Sequence, residues 1–72
     1  MRDAKPKLIV RALESEGFVQ NGGTKHLKMV KSVDGKTVTV HVQNHGVIKR
    51  NTVEAIRKNA GLSKEVFYGY KF

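Results

Sequence analysis

The sequence predicts a small α+β fold of order α-β-β-β-α, in which a three-stranded antiparallel sheet carries two helices on one face. Three observations predict it. Apolar residues recur at helical spacing near both ends of the chain. The middle of the chain alternates apolar and polar residues with period two. Asp34-Gly35, the dipeptide that best suits a tight hairpin, sits between two such alternating runs. Seventy-two residues allow one small domain, and the whole chain, residues 1–72, is read as that domain.

The elements follow in order. Leu8, Ile9, Ala12 and Leu13 form one apolar stripe of a first helix over residues 5–16. Pro6 suits its first turn, where a missing N–H costs nothing. Asp3 is the better N-cap candidate ahead of it, and Gly17 closes it. Phe18-Val19-Gln20 reads as a short strand, and Asn21-Gly22-Gly23 as the turn that follows. Residues 24–33 read as the second strand, with Leu27 and Met29 on one face and His26, Lys28 and Val30 on the other. Residues 36–42 read as the third, with Val38, Val40 and Val42 against Thr37, Thr39 and His41. Gln43-Asn44-His45-Gly46 is a loop. Asn51 or Thr52 can cap the second helix, and Asn51 with Glu54 resembles a capping box. Val53, Ile56 and Ala60 give that helix its apolar side, and Gly61 ends it. Residues 62–67 suit one more short turn, and Tyr68, Tyr70 and Phe72 make an aromatic tail. Ile9, Leu13, Leu27, Met29, Val38, Val40, Val53 and Ile56 are expected to supply most of the core, with Phe18 and Phe67 added to it.

The charge is the strongest functional signal. Lys and Arg number 14 against 6 Asp and Glu, a net charge of +8. Such a field draws polyanions, of which nucleic acid is the commonest. The cations are spread along the chain, which argues against a basic membrane helix. The longest apolar run is three residues, as in Leu8-Ile9-Val10, so no segment is expected to span a membrane. The first residues lead into no apolar stretch of the secretory kind, and the expected compartment is the cytoplasm. The chain has no cysteine, which excludes a disulfide framework and cysteine-based zinc sites. His26, His41 and His45 match no standard metal spacing, and no carboxylate or thiolate accompanies them. Six acidic residues, one of them in the Asp34-Gly35 turn, leave little for a two-metal nuclease. No cofactor and no metal are expected.

Three segments resemble the HicA toxin family over residues 7–63. They are Leu13-Glu14-Ser15-Glu16-Gly17-Phe18, the turn entering the second strand, Gly23-Thr24-Lys25-His26-Leu27-Lys28, and the helix segment running from Ile48 to Gly61-Leu62-Ser63. The middle segment is the most specific. The resemblance implies a fold similar to a double-stranded-RNA-binding domain. It also implies a toxin that cleaves mRNA and is neutralised by a HicB-like antitoxin. The histidine of the turn-strand motif, here His26, is the implied catalytic residue. Lys25 stands directly after Thr24, where some relatives place the histidine, and its protonated ammonium is wrong for the task. Two departures accompany the match. Relatives often end the third strand in Pro-x-His, where this chain has His41-Val42-Gln43, leaving His41 or His45 as nearby substitutes. Asn51 stands where a glycine often precedes the second helix.

The residue chemistry agrees with that implication. RNA cleavage needs a base for the 2′-hydroxyl proton and an acid for the leaving 5′-oxygen, and histidine is suited to both near neutrality. Cations around it stabilise the charge that builds on phosphorus. Lys28 shares the His26 face by strand alternation. Lys25, Lys28, Lys49 and Arg50 are therefore the candidate phosphate-binding residues. Gly22, Gly23 and Thr24 form the turn that supports the site. The aromatic residues do not interleave with the basic ones, which favours contact with backbone and shape over base stacking. The alternative from a different class is a non-catalytic RNA-binding module of the same fold. A third reading is an interaction module for an acidic protein, which salt dependence of RNA binding would separate from the others.

Overall fold

The computed structural model describes residues 3–70. Its elements run α1 (Pro6–Ser15), β1 (Val19–Gln20), β2 (His26–Val33), β3 (Lys36–Gln43), α2 (Arg50–Ala60) and α3 (Lys64–Tyr68). The three strands form one antiparallel sheet in the order β1-β2-β3. This is the expected architecture, with the expected extra turn realised as α3. Phe72 of the aromatic tail lies outside the described residues.

The strand register follows from the side-chain alternation. Leu27 pairs with Val42 and Met29 with Val40, and all four are buried. A slip of one residue would turn this apolar set to solvent. Asp34 and Gly35 both adopt positive φ, 50° and 78°, as a two-residue hairpin turn requires. On the inner face of the sheet, Ile9, Ala12 and Leu13 of α1, Val53, Ile56 and Ala60 of α2, and Phe67 of α3 complete one core with the strand residues. Phe18, Ala4 and Ile48 join it. Full burial of a side chain such as Phe67 or Ile9 contributes roughly 1.5–3 kcal/mol, which matters in a domain that buries only about 60% of its chain surface.

Several local expectations are corrected. Helix α1 has Lys5 at its N-cap with no side-chain cap. Asp3 instead accepts a hydrogen bond at 2.8 Å from the Arg50 amide, 47 residues away. It therefore satisfies the start of α2, which begins at Arg50 and not after Asn51 or Thr52, with Lys49 as an N-cap that offers no side-chain bond. The Ala4–Ile48 bridge, with amide-to-carbonyl distances of 3.0 and 2.8 Å, brings Asp3 there. The Asn51–Glu54 capping box does not form. Glu54 turns to Arg57 at 2.5 Å and accepts from the Tyr68 hydroxyl, joining α2 to α3. The Arg57 hydrogen bond, then that of Tyr68, holds the Glu54 carboxyl down at about 2. Burial and the Glu54 contact push the Tyr68 hydroxyl up to about 12. Val38 is half-buried at the margin of the core, because its partner across the sheet is the charged Lys31, whose side chain lies beside Gly17 and over the Phe18 ring. Thr24 and Lys25 precede β2 as loop, since the chain is still turning there. Phe18 belongs to the core, and only Val19 and Gln20 pair as β1.

Candidate active site

The site candidates gather at one end of β2. The loop of residues 21–25 between β1 and β2 is closed by Asn21 donating to the Lys28 carbonyl at 2.7 Å and Lys28 donating to the Gly22 carbonyl at 3.2 Å. Gly23, at φ 97°, folds back against the peptide of His26. A Cβ on Gly23 would lie 2.0 Å from the His26 carbonyl oxygen, so only glycine fits. Gly22 also has positive φ, but open space surrounds its missing Cβ. The glycine pair thus sets where β2 begins and where His26 is presented.

A second strut comes from across the sheet. The Asn44 amide donates to the Lys25 carbonyl at 2.7 Å, and its side-chain Nδ2 donates to the Thr24 carbonyl at 2.8 Å. Asn44 therefore anchors the turn to the end of β3. No sequence signal pointed to it, because the bond spans 20 residues.

His26 and Lys28 are exposed on the outer face of the sheet, opposite the helices. His26 faces Gln43, and Lys28 faces His41. The main-chain groups of Lys28 point towards β1, so Lys28 and His41 form a non-hydrogen-bonded pair, the closer kind, with Cα atoms about 4.5 Å apart. His26 and His41 are then diagonal neighbours, with Cα atoms about 7–8 Å apart. The structure thus brings His26, Lys28 and His41 together. His45 stays in the loop beyond β3, its carbonyl accepting from the Gln43 side chain at 2.9 Å.

Lys49 and Arg50 are exposed but belong to the helical layer at the start of α2, not to the outer sheet face. The Arg50 amide is already bonded to Asp3, so the two side chains, and not the free end of a helix, are what this region offers to phosphate. On the helix side of the glycine loop lies an open cleft of about 440 Å³ lined by Lys7, Val10, Arg11, Glu14, Gln20, Leu27 and Asn44. Lys7 and Arg11 bring positive charge there. Their place on α1 carried no motif in the sequence.

Among the described residues the side-chain ion pair is Arg57–Glu54. It occupies Arg57 and leaves Lys25, Lys28, Lys49 and Arg50 without carboxylate partners. Uncompensated cations on a chain of net charge +8 are suited to an anionic ligand. Among the described residues no three His, Asp or Glu side chains cluster as metal ligands would. No helix among them is long and apolar enough to cross a membrane.

The family described as HicA toxin of bacterial toxin-antitoxin matches residues 7–62 of the chain. The match takes in α1 from Lys7, the whole sheet, the glycine loop, His26 and α2. No curated protein matches the chain significantly.

Proposed function

The chain belongs to the HicA toxin family of bacterial toxin–antitoxin systems, and from that premise we propose that it is an endoribonuclease that cleaves mRNA without a metal, with His26 as general acid or base. The reading places it in the cytoplasm with its substrate, as a single domain paired with a HicB-like antitoxin. The observation that carries it is the exposed His26 held on the outer sheet face by the Gly23 turn, with Lys28 beside it.

The chemistry is an internal displacement. The 2′-oxygen attacks phosphorus, the bond to the 5′-oxygen breaks, one group takes the 2′ proton and another protonates the leaving oxygen. His26 performs one of these transfers. His41, on the diagonal position of β3, performs the other, the two imidazoles approaching one phosphodiester from opposite sides. Lys28, between them, meets the non-bridging phosphate oxygens and stabilises the charge that grows there. Lys25 sits at the mouth of the turn, and Lys49 and Arg50 hold flanking phosphates from the helical layer. Gly22, Gly23, Thr24 and Asn44 position the site without touching substrate.

The test is RNA cleavage in excess EDTA by the purified chain, by His26→Ala and by His41→Ala at matched concentration. Loss of a positioned acid–base histidine costs about 10²–10⁴-fold, and His26→Ala is expected to lose that much. His41→Ala is expected to lose less. RNA binding without cleavage by both the parent chain and His26→Ala would establish the alternative, a non-catalytic RNA-binding module.

A further inference from the structure

The sheet ends on β3, and among the described residues no strand pairs with its far edge. The direction of each β3 main-chain group follows from β2. Lys28 donates to Gly22 and accepts from Asn21, so both of its main-chain groups point to the β1 side. Successive strand residues point to opposite edges, so Leu27, Met29 and Lys31 point to β3. Their partners Val42, Val40 and Val38 therefore spend their amides and carbonyls inside the sheet. The Asn44 amide bonded to the Lys25 carbonyl continues the same alternation. Thr37, Thr39, His41 and Gln43 consequently aim theirs outward, as a regular row of donors and acceptors.

Edge strands of soluble proteins are normally blunted by charge, proline, a bulge or shortness. The opposite edge follows that rule, since β1 is two residues long. The β3 edge does not. Its residues 37–43, TVTVHVQ, hold no proline, lysine, arginine or carboxylate, and the register with β2 runs unbroken from His26↔Gln43 to Val33↔Lys36. The segment is built as a pairing template and left open.

We propose that this edge receives a β-strand from an acidic protein partner, which extends the sheet to four strands. The outward row matches a polypeptide main chain, which repeats donor and acceptor at strand spacing; a nucleic-acid backbone presents no such row. The net charge of +8 attracts an acidic segment and opposes a second copy of this chain. The inference rests on the toxin–antitoxin reading for the partner's identity: the antitoxin supplies the strand. Such a strand would lie about 4.8 Å beyond β3. Its outer-face side chains would stand beside His41 and reach over Gln43 towards His26. One contact would therefore seat the antitoxin and cover the site.

The experiment is amide hydrogen exchange by NMR on the labelled chain, alone and bound to its cognate antitoxin. Alone, Val38, Val40 and Val42 are expected to be protected, while Thr37, Thr39, His41 and Gln43 exchange freely. In the complex those four are expected to slow by about 100-fold or more, as buried ladder amides do. Thr39→Pro removes one outward donor and spares the bonds to β2. It is expected to keep its melting temperature within a few degrees and its RNA cleavage, and to bind antitoxin at least about tenfold more weakly. Unprotected edge amides in the complex would overturn the proposal, whether or not Thr39→Pro folds. So would undiminished antitoxin binding by a folded Thr39→Pro. Protection in the chain alone that fades on dilution would identify a second copy as occupant and also overturn it. Inactivity on RNA with intact edge protection would refute the nuclease reading only, so the two failures are distinguishable.

Discussion

Replacing each glycine of the β1–β2 loop by alanine separates backbone dihedral cost from steric placement of the site. Gly22 and Gly23 have similar dihedrals, φ 88° and 97°. Either alanine therefore meets the penalty of an L-residue at positive φ, roughly 1–2 kcal/mol. At Gly22 nothing else is met, because no atom lies within 4 Å of the added Cβ. At Gly23 the Cβ would stand 2.0 Å from the His26 carbonyl oxygen and 3.2 Å from the Leu27 Cα. Backbone, and not a flexible side-chain tip, must move by about 1 Å. That shift breaks the Lys28–Gly22 hydrogen bond, which adds about 1 kcal/mol, and brings the Gly23→Ala total to about 2–3 kcal/mol. In a domain this small, each kcal/mol is worth about 4–8 °C of melting temperature. Gly22→Ala is expected to melt about 4–16 °C below the parent, and Gly23→Ala about a further 4–8 °C below that. Activity should diverge further, since displacing a catalytic group by 1 Å can cost about 10²-fold. At 10 °C, where both remain folded, Gly22→Ala should cleave RNA within a few-fold of the parent, and Gly23→Ala about 100-fold more slowly. Thermal melts by circular dichroism with cleavage rates at 10 °C measure both. Equal losses from the two substitutions, or full cleavage by Gly23→Ala, would refute the argument that this close approach presents His26.

Three further outcomes follow from other contacts. Asp3→Ala removes the carboxylate on the Arg50 amide and is expected to cost about 1 kcal/mol, as loss of a helix cap does; an unchanged melting temperature would show that α2 does not depend on it. Phe67 is fully buried, so Phe67→Ala should cost about 3–5 kcal/mol, most of the stability of a domain this size, and urea unfolding should show its cooperative transition displaced or lost. Glu54 is held at about 2 against its ordinary 4.5, so the charged form is favoured in the folded state. Its contribution is complete above pH 4.5 and disappears as pH falls towards 2. The melting-temperature gap between the parent and Glu54→Gln should accordingly hold steady above pH 4.5 and close below it, and a gap that persists at pH 2 would contradict the assignment.

Much of the fold was legible because its signals are local. The alternation through Leu27, Met29, Val40 and Val42 specified the inner sheet face, and Asp34-Gly35 specified the hairpin that sets their register. The same alternation puts His26 and Lys28 on the outer face. The caps were misassigned for a physical reason. An orphan amide at a helix start donates to any carboxylate that arrives, and proximity in sequence favoured Asp3 for α1, whereas the Ala4–Ile48 bridge delivers it to α2. Glu54 likewise met Arg57 and Tyr68 instead of the helix start.

The site divides along the same line. The resemblance carried by Gly23-Thr24-Lys25-His26 implied the loop and the histidine, and strand alternation, which acts over a few residues, put that histidine on the outer face. Only the tertiary structure decided that His41 stands beside Lys28, that Asn44 braces the turn, that Lys49 and Arg50 lie in a different layer, and that β3 leaves an edge open. Each of these depends on which strands and loops meet after the chain has closed on itself. That closure is decided by the burial of the whole core and carries no mark in any short stretch of sequence.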